Sequence, residues 1–289
     1  MKNLLIITTV LTLVLSFSSC KKEGCTDELA SNYSSEAEKN DGSCVFESVT
    51  SEPESATLQL NFTQNFNGSQ ITMNEFNSIA YINANGEELS LTKLQYSISD
   101  VRFYLANGDS VYIEGSYNLI DLEDESSLLY NLSSLIDVDL TALNVFTGVG
   151  FNYGFDENDN TSGAYADLNA ASWGWPDMIG GGYHQMKMEG KFLDATGSEV
   201  SYAYHNGSAT KNAADQFESN YRFIKLANSD FDLTGNTTIE IKMNIANWYT
   251  NPNTWDLNVL NSTLMPNYDA QKMMTQNAVD VFSVGAITH

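Results

Sequence analysis

The chain has 289 residues, 42% of them hydrophobic, and 37 acidic against 13 basic side chains give it a net charge of −24. Such a surface repels phosphate backbones, so nucleic acid is excluded as a partner. Only three histidines occur, which excludes most zinc-hydrolase arrangements and nucleophilic triads.

Residues 1–19 read as an export signal. Met1-Lys2-Asn3 gives a short positive start, and residues 4–15 form an apolar run of about a dozen residues, well short of the ~20 needed to span a bilayer. Phe17-Ser18-Ser19-Cys20 resembles the lipobox of bacterial lipoproteins. That resemblance implies a lipidated Cys20, a membrane reached through a lipid anchor, and a location at the outer membrane or cell surface, the periplasmic face included. Losing Lys2 with the signal leaves 12 basic against 37 acidic residues, a mature charge of −25.

Setting Cys20 aside leaves Cys25 and Cys44, an even pair in an exported chain, so a disulfide is expected. The segment GCTDELASNYSSEAEKNDGSC resembles a short surface motif of Bacteroidetes proteins, and closing a loop of that length removes ~3 kcal/mol of denatured-state entropy. Its acids Asp27, Glu28, Glu36, Glu38 and Asp41 are calcium candidates without a recognisable loop spacing. FESVTSEPESA reads as an acidic linker. Residues 20–56 are therefore anchor, motif and linker, and the main domain spans 57–289.

In that domain the hydrophobic period is mostly two. Leu58, Leu60 and Phe62 alternate with polar neighbours, as do Val101, Phe103 and Leu105 before an Asn107-Gly108 turn into SVYI. TTIEIKMNI places Ile239, Ile241, Met243 and Ile245 on one face. Two segments read as helix: SLLYNLSSLI, and DAQKMMTQNAVDVF with Asp269 as its cap. The fold class is all-β, a β-sandwich with minor short helices.

The densest chemistry lies in SWGWPDMIGGGYHQMKMEGKF. Read as a strand, GYHQMKMEGKF puts Tyr183, Gln185, Lys187 and Glu189 toward solvent and His184, Met186 and Met188 inward. An imidazole with two thioethers is a soft set that suits Cu(I). His205, in SYAYHNGSA, follows a turn near Ala195-Thr196-Gly197, so the two runs can pair antiparallel and bring both imidazoles into one sheet. The plainer alternative is core packing, above all for Met188 and Met243. The three glycines read as a turn, since no phosphate-cradle spacing is present. Asp156, Asn158, Asn160 and Asp167 fall at EF-hand-like positions, but Thr161 stands where glycine is required. No GxSxG, HExxH or CxxC occurs, so the chain is expected not to be an enzyme.

The order of LQYSISDVRFYL, GDSVYIEGSYNLIDL, the stretch from GVGFNYGFDENDN through KMEGKF, YHNGSA and TTIEIKMNIANWYTNPNTWDLNVLNSTLMP resembles the MbnP-like family, which includes lipoproteins of Bacteroidetes. The resemblance runs over nearly all of residues 57–287. It implies a β-sandwich, copper binding by histidines and, in some members, a tryptophan oxidised to kynurenine by a partner dihaem enzyme. His205 stands where relatives carry a histidine before x-Gly, which makes it a candidate metal ligand. His184 departs from the family pattern and is either an added ligand or a satisfied core residue. Copper then needs sulfur such as Met186, or the site is lost. Trp173 and Trp175 are the candidates for oxidation. The competing expectation is a surface interaction module in which Trp248, Tyr249 and Trp255 contact glycans or proteins.

Overall fold

The computed structural model describes residues 21–45, 57–133, 145–212, 216–233 and 235–289. Cys20, and with it the anchoring expectation, lies outside them. The described residues form two compact units, 21–45 and 57–289. Among them no helix is long and apolar enough to cross a membrane.

In the smaller unit the Cys25–Cys44 disulfide forms as expected, and Glu23–Gly24 pairs in parallel with Lys39–Asn40. Among the described residues its acids form no cluster of three close ligand groups. Asp27 and Asp41 accept backbone N–H groups of Leu29 and Ser43 in local turns, and Glu36 and Glu23 pair with Lys22 and Lys39.

The larger unit is a two-sheet sandwich. Its main elements are β1 (Thr57–Phe66), β2 (Lys93–Leu105), β3 (Tyr117–Asp121), β4 (Val145–Tyr153), α1 (Ala166–Ala170), β5 (Met186–Leu193), β6 (Glu199–Asn206), β7 (Asn236–Asn244), α2 (Tyr268–Asn277) and β8 (Phe282–Thr288). The smaller sheet runs Leu129–Asn131, β1, β7, β8, with β1 and β7 parallel. The larger sheet runs Arg222–Lys225, β4, β2, β5, Glu88–Leu89, Tyr81–Ile82, with β3 also on β2 and β6 on β5.

Strict alternation builds the core. Leu58, Leu60 and Phe62 of β1 and Ile239, Ile241 and Met243 of β7 are fully buried against Tyr96, Ile98, Phe151, Met186 and Met188 of the facing sheet. Phe62 meets Tyr96 and Phe151 edge-on across the sandwich, with ring centroids 6.2 Å away in each case. Each such side chain contributes about 1.5–3 kcal/mol by leaving water. Met188 and Met243 are core filler, and the Asn107-Gly108 hairpin returns Ser110–Tyr112 onto β2.

Three sequence expectations give way here. SLLYNLSSLI is not a helix across its middle: Leu129–Asn131 is an edge strand on β1, because Leu132 N–H finds Leu58 O and the ladder outcompetes local propensity. The cap of α2 is Asn267, whose side chain accepts Ala270 N–H, while Asp269 sits in the first turn. Trp248, Tyr249 and Trp255 are fully buried in the core, so they offer no surface to a glycan or protein.

Candidate metal centre

β5 and β6 form a hairpin in which Met186 faces Asn206, Lys187 faces His205, Met188 faces Tyr204 and Glu189 faces Ala203. Successive side chains in a strand leave on opposite faces. Met186 and Met188 therefore enter the inter-sheet core with Tyr202 and Tyr204, whereas Lys187, Glu189 and His205 stand on the outer face of the larger sheet.

His184 does not follow that alternation. Gln185 N–H remains bonded to Asn206 O and Gln185 O to Ser97 N–H, but His184 N–H turns away to Trp173 O at 2.9 Å. The kink places the His184 ring on the same face as His205, with ring centroids 5.6 Å apart and planes at 80°. Alternation had grouped His184 with Met186 and Met188. The thioether of Met186 is on the other side of the sheet, fully buried in the core, so it is not a ligand beside these imidazoles. Met188 Sδ accepts from Tyr249 OH at 3.7 Å.

The outer face is not open solvent at this point. Tyr183 is buried with Trp173, Phe155 and Leu168 in a second apolar cluster, and Gln185 is buried as well. The glycine turn makes the cover. Trp175 N–H bonds Gly182 O, and Gly182, at φ +81°, leaves space that a Cβ would take from Asn160 Oδ1, 2.3 Å away. That oxygen accepts Tyr183 N–H at 2.8 Å.

Both tryptophans meet His184: Trp173 at 5.5 Å and Trp175, edge-on, at 4.9 Å between ring centroids. Trp175 Nε1–H donates to Ile179 O at 3.0 Å. Trp173 Nε1 is buried without a hydrogen-bond partner among the described residues. Lys187 closes the group, its Nζ 5.0 Å over the Trp173 ring and donating to Ser172 O at 2.8 Å.

Hydrogen bonds assign the imidazole protons. His184 Nδ1 lies 2.9 Å from Trp173 O, and a carbonyl only accepts, so Nδ1 carries the hydrogen and Nε2 keeps its lone pair. His205 Nε2 lies 2.8 Å from Glu189 Oε1, which leaves Nδ1 as that ring's donor to a metal. Burial, aided by Lys187 and opposed by the Trp173 carbonyl, pushes His184 down to about 3. Burial lowers His205 also, with Glu189 pulling the other way. Two neutral imidazoles, each oriented by an acceptor on its other nitrogen, form the usual pattern of metal-ligating histidine. The third histidine, His289, directly follows β8, with Nδ1 3.2 Å from Thr237 Oγ1.

The EF-hand-like quartet is dispersed. Asn160 Oδ1 is held by Tyr183 N–H, and Asp167 on α1 accepts Tyr117 OH. Asp156 instead lies with Asp159 and the fully buried Asp100, their carboxylate oxygens within 4.8 Å of one another. Asp100 is held by Tyr112 OH and Asn152 Nδ2, both at 2.6 Å. Asp100 and the Glu189 partner of His205 carry no linear motif; Glu189 emerges only once β5 and β6 are set in register.

No curated protein matches the chain. Among solved structures it is similar to MbnP from Methylosinus trichosporium, at 11% identity and a TM-score of 0.49, covering 80% of this chain and 98% of that one. The sequence profile of the MbnP family matches residues 55–267. By that match, the chain belongs to the MbnP family.

Proposed function

We propose that this protein is a lipid-anchored, extracytoplasmic copper-binding protein that captures, stores or delivers Cu(I) through His184 and His205. The observation that carries the reading is the pair of imidazoles 5.6 Å apart, each with one N–H committed and one nitrogen left to donate. Neutral nitrogen donors suit copper far better than Ca²⁺ or Mg²⁺, and the resemblance of the chain to its family implies the same metal. Glu189 and the Trp173 carbonyl orient the rings. Trp173 and Trp175 pack on His184, and in this reading one of them is the target of a tryptophan-oxidising dihaem partner. Kynurenine would add an aromatic amine as a further donor.

The test is Cu(I) titration of the purified protein against a chromophoric chelator. One copper per chain is expected, with His184→Ala and His205→Ala each weakening binding by more than the tenfold to hundredfold typical of losing an outer-shell partner. Wild-type affinity in both variants would remove the site.

A further inference from the structure

Gln271 of α2 is fully buried, and it lies beyond residues 55–267, which the family profile matches. Its side-chain amide uses all of its hydrogen-bonding capacity where β6 leaves the sheet. Nε2 donates to His205 O at 2.8 Å and to Leu264 O at 3.1 Å. Oε1 accepts from Asn206 Nδ2 and from Gly207 N–H, both at 3.0 Å. One side chain thus holds three successive residues, 205, 206 and 207.

The third of these reaches the other imidazole. A Cβ on Gly207 would lie 2.3–2.6 Å from three carbons of the Trp175 ring, so the bare backbone presses flat against that indole. The indole is fixed by its bond to Ile179 O and meets His184 edge-on. Asn220 braces the same corner, its Nδ2 donating to Gly207 O at 3.0 Å and to Gln271 O at 2.9 Å. Movement of the Gln271 amide therefore displaces His205 through its own carbonyl and His184 through Gly207 and Trp175.

We propose that Gln271 is the positioning residue of the copper centre, setting the separation of the two imidazoles through the backbone of residues 205–207 rather than through a bond to either ring. This rests on the two-histidine reading above. Gln271→Met keeps the volume and removes four hydrogen bonds to buried groups, of which Asn206 Nδ2 retains a second acceptor in Thr275 Oγ1 at 3.4 Å. Gln271→Glu keeps the shape and the two accepted bonds but removes both donated ones, and it carries the same comparison if the methionine variant does not fold. Asn277→Ala is the control: Asn277 is equally buried on α2 and donates to Trp248 O and Asn253 O, both at 2.8 Å, away from the centre.

Each variant, shown to be folded by circular dichroism, is titrated with Cu(I) against a chromophoric chelator, and the loaded protein is read by copper X-ray absorption. The expected result is copper affinity ten- to a hundredfold weaker in the Gln271 variant, with reduced imidazole scattering, and Asn277→Ala within twofold of wild type. If the folded Gln271 variant matches wild type in affinity and spectrum while His205→Ala loses copper, the positioning role is overturned and the two-histidine reading stands. Equal weakening in Asn277→Ala also overturns it, because the effect would then be general stability. Wild-type copper binding in His205→Ala sinks the reading beneath it.

Discussion

The burial of His184 sets a stability slope in the metal-free protein. An unfolded chain takes up a proton on this ring near the ordinary value of 6.5, whereas the folded ring resists until about 3. Between those values the unfolded state binds more protons, so stability falls as pH falls, by about 1.4 kcal/mol per pH unit, and levels off below about 3. Taking the protein from pH 7.5 to pH 5.0 crosses one and a half units of that window, a loss of about 2 kcal/mol from His184 alone. His205 shifts in the same direction and adds to the slope. Carboxylate titration is common to all variants, so the comparison is with His184→Phe, which keeps an aromatic ring and cannot ionise. Urea unfolding in chelator-treated buffer at both pH values should show wild type losing about 2 kcal/mol more than the variant. An equal loss in the two proteins would refute the assignment of a neutral, desolvated imidazole at this position.

Glu189→Gln removes the carboxylate that orients His205; Cu(I) affinity should drop ten- to a hundredfold by chelator competition, with fold retained. Met186→Leu, a volume-conserving swap in the core, should leave copper stoichiometry and affinity unchanged and cost under about 1.5 kcal/mol in urea unfolding; loss of copper there would return the thioether to the site. Gly190→Ala should destabilise the sheet by 3 kcal/mol or more by the same assay, because the new methyl would meet Ser90 O at 1.9 Å, a backbone atom held by the Ser90 N–H to Lys191 O bond.

Much of the molecule was legible in one dimension. Period-two burial marked β1, β2 and β7 and hence a sandwich, since a side chain on a strand has only two faces to choose from. Cysteine parity named the Cys25–Cys44 bond, and the order of short motifs identified the family. His205 was legible as a candidate through YHNG, and the turn near Thr196 foretold that its strand would pair with the one carrying Met186.

Tertiary structure decided which groups share a face, and it did so through bonds between residues distant in sequence. Alternation put His184 with Met186, but the carbonyl of Trp173 captured His184 N–H and turned the ring to the side of His205. Leu129–Asn131 joined β1 although its local pattern favoured helix. Gln271 reached His205 O across 66 residues. Local sequence sets the period of a strand. Where that period is broken depends on whether a distant donor or acceptor satisfies a backbone group better than the neighbouring strand does, and only the folded chain holds that information.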